Sequence, residues 1–227
     1  PTAASSAVCR SLVLGTGAVS CTLTVPSRMT ASGNVTIGAK GTLLHTANSS
    51  SSAFSLTGNW TNAGAFLYTS SSTVTFAGVS QYLAGPNATT FRRVTINASS
   101  TTTLAINTTI TNRLSVSGTF DPGTGTGFVV SGSGTVQVNS GGQLLVRAST
   151  FAGNYAQTGT KTINSGSTVN YLGSGDQTVA TNYTYSTLRI GGSGVKSLTG
   201  NLPSLSSSST NRGNLYVDAA TFDLSTF

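Results

Sequence analysis

Residues 71–78 read SSTVTFAG: Val74 and Phe76 are apolar, Thr73 and Thr75 polar, and a glycine follows. Alternation of this kind belongs to a short strand with one buried face, and the glycine to the bend after it. Moving outward from Phe76, apolar strand centres fall at Leu56 and Ile37 on one side and at Ile96, Val116 and Val138 on the other, in steps of 19, 20, 20, 20 and 22 residues. Around each centre the period is two, as in Val94-Thr95-Ile96 and Val136-Gln137-Val138. Clusters of Gly, Asn and Ser lie between them, such as GTGTG at 123–127 and NSGG at 139–142. Such residues supply positive φ and local hydrogen bonds at bends.

No segment sustains a 3.6-residue period, so the chain reads as nearly all β. A strand every twenty or so residues, in constant phase, predicts a parallel β-helix (β-solenoid) with about 20 residues per coil, each coil rising about 4.8 Å. The alternative is a pair of antiparallel sandwiches, which commonly place turn signals every 8 to 12 residues and need no coil-length phase.

A longer correspondence overlies the coil. GNVTIGAKGTLL from Gly33 aligns with GTVQVNSGGQLL from Gly134, and GNWTNAGAFLYTSSSTVTFAG from Gly58 with GNYAQTGTKTINSGSTVNYLG from Gly153. TTFRRVTI then aligns with TYSTLRI, and LSVSGTFD with LYVDAATFD. The expected organisation is a cysteine-bearing cap or docking segment at 1–32, a first repeat of about a hundred residues at 33–133, and a second at 134–227, incomplete at its end.

The phrases GNWTNAGAF, SSTVTFAG, TTFRRVTIN and LSVSGTF resemble repeats of large secreted bacterial surface proteins of the adhesin and haemagglutinin-like β-helix type. The resemblance implies a solenoid fold and an extracellular, cell-surface address in a prokaryote.

Composition agrees with a folded but chemically quiet chain. Charged residues are 7%, Glu is absent, and Ser (35) and Thr (39) make up about a third. Apolar β-formers run evenly along the length, unlike in a disordered chain. The net charge of +7 reflects scarce acids, since Lys and Arg number 11 and stand singly apart from Arg92-Arg93. A nucleic-acid groove needs a clustered basic stripe with interleaved aromatics, which leaves a weak attraction to acidic polysaccharide or an anionic cell surface.

Cys9 and Cys21 cannot complete a four-ligand zinc site with the single His45. A disulfide between them is expected, adding about 3 kcal/mol and indicating an oxidising compartment. No apolar run reaches 18 residues, so no membrane-spanning segment is expected. The opening PTAASSAVC reads as the start of a mature secreted protein.

Catalysis is not expected, nor a cofactor or a metal. Glycoside hydrolysis needs facing carboxylates, and the acids are Asp121, Asp176, Asp218 and Asp223 alone. Asp121 and Asp223 occupy matching places after Thr-Phe, where Asp caps a turn, and four acids are too few for a calcium cage. Trp60, Tyr155 and Tyr183 are candidates for stacking on glycans.

The closing phrase TFDLSTF breaks off where the first copy runs on into PGTGTGFVV, while RMTASGNVTIG from Arg28 matches VVSGSGTVQVN from Val129. This predicts a head-to-tail homopolymer joining Arg28, Met29, Val35 and Ile37 of one copy to Leu215, Val217, Phe222, Leu224 and Phe227 of the next. The leading expectation is therefore an extracellular structural protein that self-assembles into a surface or biofilm-matrix filament. The alternative is an adhesin stalk or passenger module that binds glycans or cell surfaces, and a polysaccharide-active β-helix enzyme is the remote one.

Overall fold

The computed structural model describes residues 6–47, 49, 52–201, 205 and 213–224. They wind into a parallel β-solenoid of about nine coils with roughly 22 residues per coil. One four-residue helix, Phe151–Asn154, interrupts the strands. Neighbouring strands come from successive coils and pair in parallel, as Thr73–Phe76 does with Ala53–Leu56 before it and Thr90–Ile96 after it. The sandwich alternative, built on antiparallel neighbours, is excluded.

The first sheet begins at Ser6–Cys9 and ends at Lys161–Ile163; the second runs through ten strands from Leu12–Leu14 to Asn214–Val217. A third sheet joins Cys21–Val25, Gly41–His45 and Ala65–Tyr68, and a fourth joins Gln177–Val179, Val195–Leu198 and Thr221–Asp223. In the coils between, the chain returns from the second sheet to the first through loops and the short helix.

The inward ladder expected from the sequence is present in the first sheet. Leu56, Phe76, Ile96, Val116 and Val138 are register neighbours, each fully buried. The residue below Leu56 is Ala31, with Cys9 beneath it, and not Ile37. Ile37 lies in the second sheet between Leu14 and Asn62. Each coil carries more than one strand, and a Val-Thr-Ile phrase serves any side.

The sheets cross both expected segment boundaries. The strand Thr108–Val116 pairs with Thr135–Val138, and residues 6–25 form a first coil paired directly on the second. Corners between the second and third sheets are made by glycine. Gly15 has φ +60°, and a Cβ there would lie 1.8 Å from the Gly41 backbone nitrogen, so a side chain is barred by both conformation and space.

The expected disulfide is not formed: Cys9 and Cys21 are free thiols. Cys9 ends a strand of the first sheet and Cys21 begins one of the third, with the second-sheet strand Leu12–Leu14 between them, so the coil sets them on different sides. Burial raises the Cys9 thiol pKa above its usual value.

His45 is buried, with Nε2 donating to Ser27 O at 2.9 Å and Nδ1 accepting from Ser72 Oγ at 2.8 Å in the neutral tautomer. Burial lowers its pKa below 6.5, against an opposing effect of the Ser27 hydrogen bond. A lowered pKa means the unfolded chain binds the proton better, so stability is present above about pH 6.5 and is lost as pH falls toward the folded value. The urea midpoint is expected to drop between pH 7 and pH 5, a range in which the chain's single histidine is its main titrating side chain. His45→Asn should flatten that dependence.

Candidate functional site

Strand order fixes where the sheets end among the described residues. Among the described residues, Ser6–Cys9, Leu12–Leu14 and Cys21–Val25 pair on one side only, with the second coil. At the other end, again among the described residues, Asn214–Val217 pairs only with Thr187–Ile190, and Thr221–Asp223 only with Val195–Leu198. Unpaired strand edges carry free N–H and C=O groups that template further pairing.

Apolar side chains gather at the same two places. Val8, Val13 and Val19 are exposed on the first coil and Tyr216, Val217 and Leu224 on the last, out of ten exposed large hydrophobics among the described residues. Val217 continues the inward row Val146, Tyr171, Ile190; those three are fully buried and Val217 is 48% exposed. The core row thus runs out into solvent at the last coil.

The expected interface residues divide accordingly. Leu215 and Phe222 are half-buried, and Val217 and Leu224 exposed, all on the last coil. Phe227 lies outside the described residues. Met29, Val35 and Ile37 are buried beneath the first coil, which corrects their assignment to an interface; Arg28, on the same coil, is exposed. The exposed apolar residues of the first coil are Val8, Val13 and Val19, of which Val8 and Val13 lie at the outward phase of their strands, in register with Thr30 and Thr36.

Two of the three glycan-stacking candidates are also corrected. Trp60 is fully buried, stacked in register on Val35, with Nε1 donating to Thr89 Oγ1 at 3.2 Å. Tyr155 is fully buried and its hydroxyl donates to Leu145 O at 2.6 Å. Both sit at the inward phase of the coil, which the repeat alignment cannot distinguish from the outward one.

Tyr183 alone is half-buried. Its ring packs on Phe151 at 5.0 Å between centroids and lines a cleft of about 320 Å³ with Thr150, Thr178, Asn182 and Thr199. Burial pushes its phenol above the usual range. The cleft exists because the chain leaves the coil at Phe151–Asn154, where Asn154 acts as a buried clamp. Its Oδ1 accepts from Arg147 N and Ala148 N, and its Nδ2 donates to Thr126 O and Phe128 O. Asn154 was not singled out in the sequence; its place opposite Asn59 in the repeat alignment gave no sign of the role.

The aspartates are tied to local structure. Asp121 accepts from Gly123 N and pairs with Arg147 at 2.9 Å, Asp176 accepts from Val195 N, and Asp218 pairs with Arg189 at 2.6 Å. Among the described residues no three of His, Cys, Asp and Glu converge, and no helix is long and apolar enough to cross a membrane. No protein-family model, curated protein or solved structure matches the chain.

Proposed function

We propose that the chain is a structural solenoid that lengthens by strand addition, the last coil of one copy pairing with the first coil of another in an extracellular surface or matrix filament. The supporting observation is the pair of sheet edges that, among the described residues, have no further strand, with exposed apolar residues on the coil at each end. Two of the three strands at the first edge have counterparts in chain order and direction: Leu12–Leu14 then Cys21–Val25 at one end, Asn214–Val217 then Thr221–Asp223 at the other, all in parallel sheets, whereas the first sheet ends at Lys161–Ile163. A contact between unlike ends that does not close into a ring yields a fibre, and added strands contribute backbone hydrogen bonds. The Ser- and Thr-rich, nearly acid-free composition and the adhesin-like phrases support the extracellular address.

Light scattering coupled to size exclusion, with negative-stain microscopy of the 227-residue protein, tests this reading. Uniform fibres or concentration-dependent oligomers are expected, and Val13→Lys or Val217→Lys, each placing a charge on one edge, should return the monomer. A wild-type monomer at every concentration would sink the assembly. It would leave a module continued by further coils of its own polypeptide, with the Tyr183 cleft, an aromatic ring among hydroxyl and amide groups, as its site for glycans.

A further inference from the structure

Three of the chain's 11 cations converge on the outside of the first sheet. Arg93 lies in register beside Arg113 of the next coil, at the strand spacing of about 4.8 Å. Arg92 precedes it at a register shift, where it faces both Thr111 and Asn112. Bulges of this kind re-aim side chains. Here Phe91, Val94, Ile110 and Leu114 all remain in the core, while Arg92 and Arg93 are half-buried and Arg113 exposed.

Among the described residues no carboxylate pairs with the trio. Ion pairs among the described residues join Arg147 to Asp121 and Arg189 to Asp218, away from this cluster. Arg93 Nε donates to Asn112 Oδ1 at 2.8 Å, but Arg92 Nε and Arg93 Nη1 are buried without a hydrogen-bond partner. Like charges directly opposite on neighbouring strands are destabilising, and a buried charged donor without a partner costs more. Burial and the neighbouring Arg92 and Arg113 lower the Arg93 pKa. An anion seated over the cluster relieves the repulsion and supplies the charge-assisted bonds in which guanidinium excels.

We propose that Arg92, Arg93 and Arg113 form a binding site for the carboxylate or sulfate groups of an acidic polysaccharide. The surroundings favour sugar. Thr73 and Thr135 continue the row of Arg93 and Arg113, and Ser55, Thr75, Thr95, Ser115 and Gln137 form a second registered row beside it. Hydroxyl and amide groups thus recur at every coil around the charges. Single-stranded nucleic acid instead takes stacked aromatics along a basic groove; the exposed tyrosines among the described residues, Tyr82 and Tyr216, lie on the second sheet, and the one tyrosine that reaches the cluster, the half-buried Tyr68, is held there by its hydroxyl on Thr111 Oγ1 at 3.1 Å.

Calorimetric titration of the full chain with dextran sulfate and with polygalacturonate, beside neutral dextran and single-stranded DNA, tests the site. Both acidic polysaccharides should bind, weakening with salt, and neutral dextran should not. Arg93→Gln with Arg113→Gln should reduce affinity about tenfold, whereas Arg10→Gln with Lys40→Gln, an equal loss of charge at exposed positions, should change it little. The arginine variant should melt no lower than wild type, since it removes a like-charge pair. Absence of binding, equal losses in both double variants, or tighter binding of DNA at matched charge would each overturn the proposal.

Discussion

Trp60→Ala is expected to lower the stability of the solenoid by about 3–5 kcal/mol, the range for removing a large aromatic from a packed core. Trp60 is fully buried, and its ring meets Phe54, Phe66 and Phe91 edge-on at 6.1, 5.0 and 5.3 Å between centroids. Truncation deletes those contacts, leaves a cavity across two coils and removes the Nε1 donor to Thr89. Asn62 Nδ2 also donates to that hydroxyl, so Thr89 keeps one partner and the cavity dominates the cost. Trp60→Phe, which keeps part of the ring volume, should lose clearly less. The measurement is a denaturant midpoint by circular dichroism, because the variant has lost the chain's sole tryptophan. A loss under about 1 kcal/mol would mean that the coils repack freely around this site.

The fate of Trp60 shows what periodicity conveys. Spacing of about twenty residues locates successive coils, and Leu56, Phe76, Ile96, Val116 and Val138 were readable as one ladder because the register follows that spacing. The side of the coil on which a strand lies was not readable. Val35 in the second sheet aligns with Val136 in the first, and Val94 in the first with Leu188 in the second. The hundred-residue correspondence therefore matches strand-and-corner phrases, not equivalent positions. The disulfide inference erred for the same reason, since sequence distance between Cys9 and Cys21 ignores the two corners between them. The arginine cluster, by contrast, is legible in the sequence: Arg93 and Arg113 are twenty residues apart, one coil in this region, the same spacing that the apolar ladder follows.

The shared corner phrase rests on a buried glutamine, and its loss should be among the most damaging changes outside the aromatic core. Gln81 Oε1 accepts from Gly78 N, and Nε2 donates to Leu56 O and Gly58 O of the preceding coil. Gln177 repeats the arrangement with Gly173 N, Val146 O and Ala148 O. The first corner follows a strand of the first sheet and the second a strand of the second, which is why STVTFAG and STVNYLG align across different sides. In Gln81→Leu, Leu56 O keeps the bond from Ala77 N, while Gly78 N–H and Gly58 O lose the partner the glutamine provides. At about 1–3 kcal/mol for each buried unsatisfied group, the expected cost is about 2–6 kcal/mol, although leucine is the more apolar residue. Gln81→Glu retains the acceptor for Gly78 but sets carboxylate oxygen against two carbonyls, so its deficit should shrink on acidification as the carboxyl protonates and donates. Midpoints for both variants at pH 7 and pH 4, each referenced to wild type at the same pH, distinguish a corner clamp from simple packing. If leucine is tolerated and glutamate shows no recovery, side-chain volume and not hydrogen bonding holds the corner.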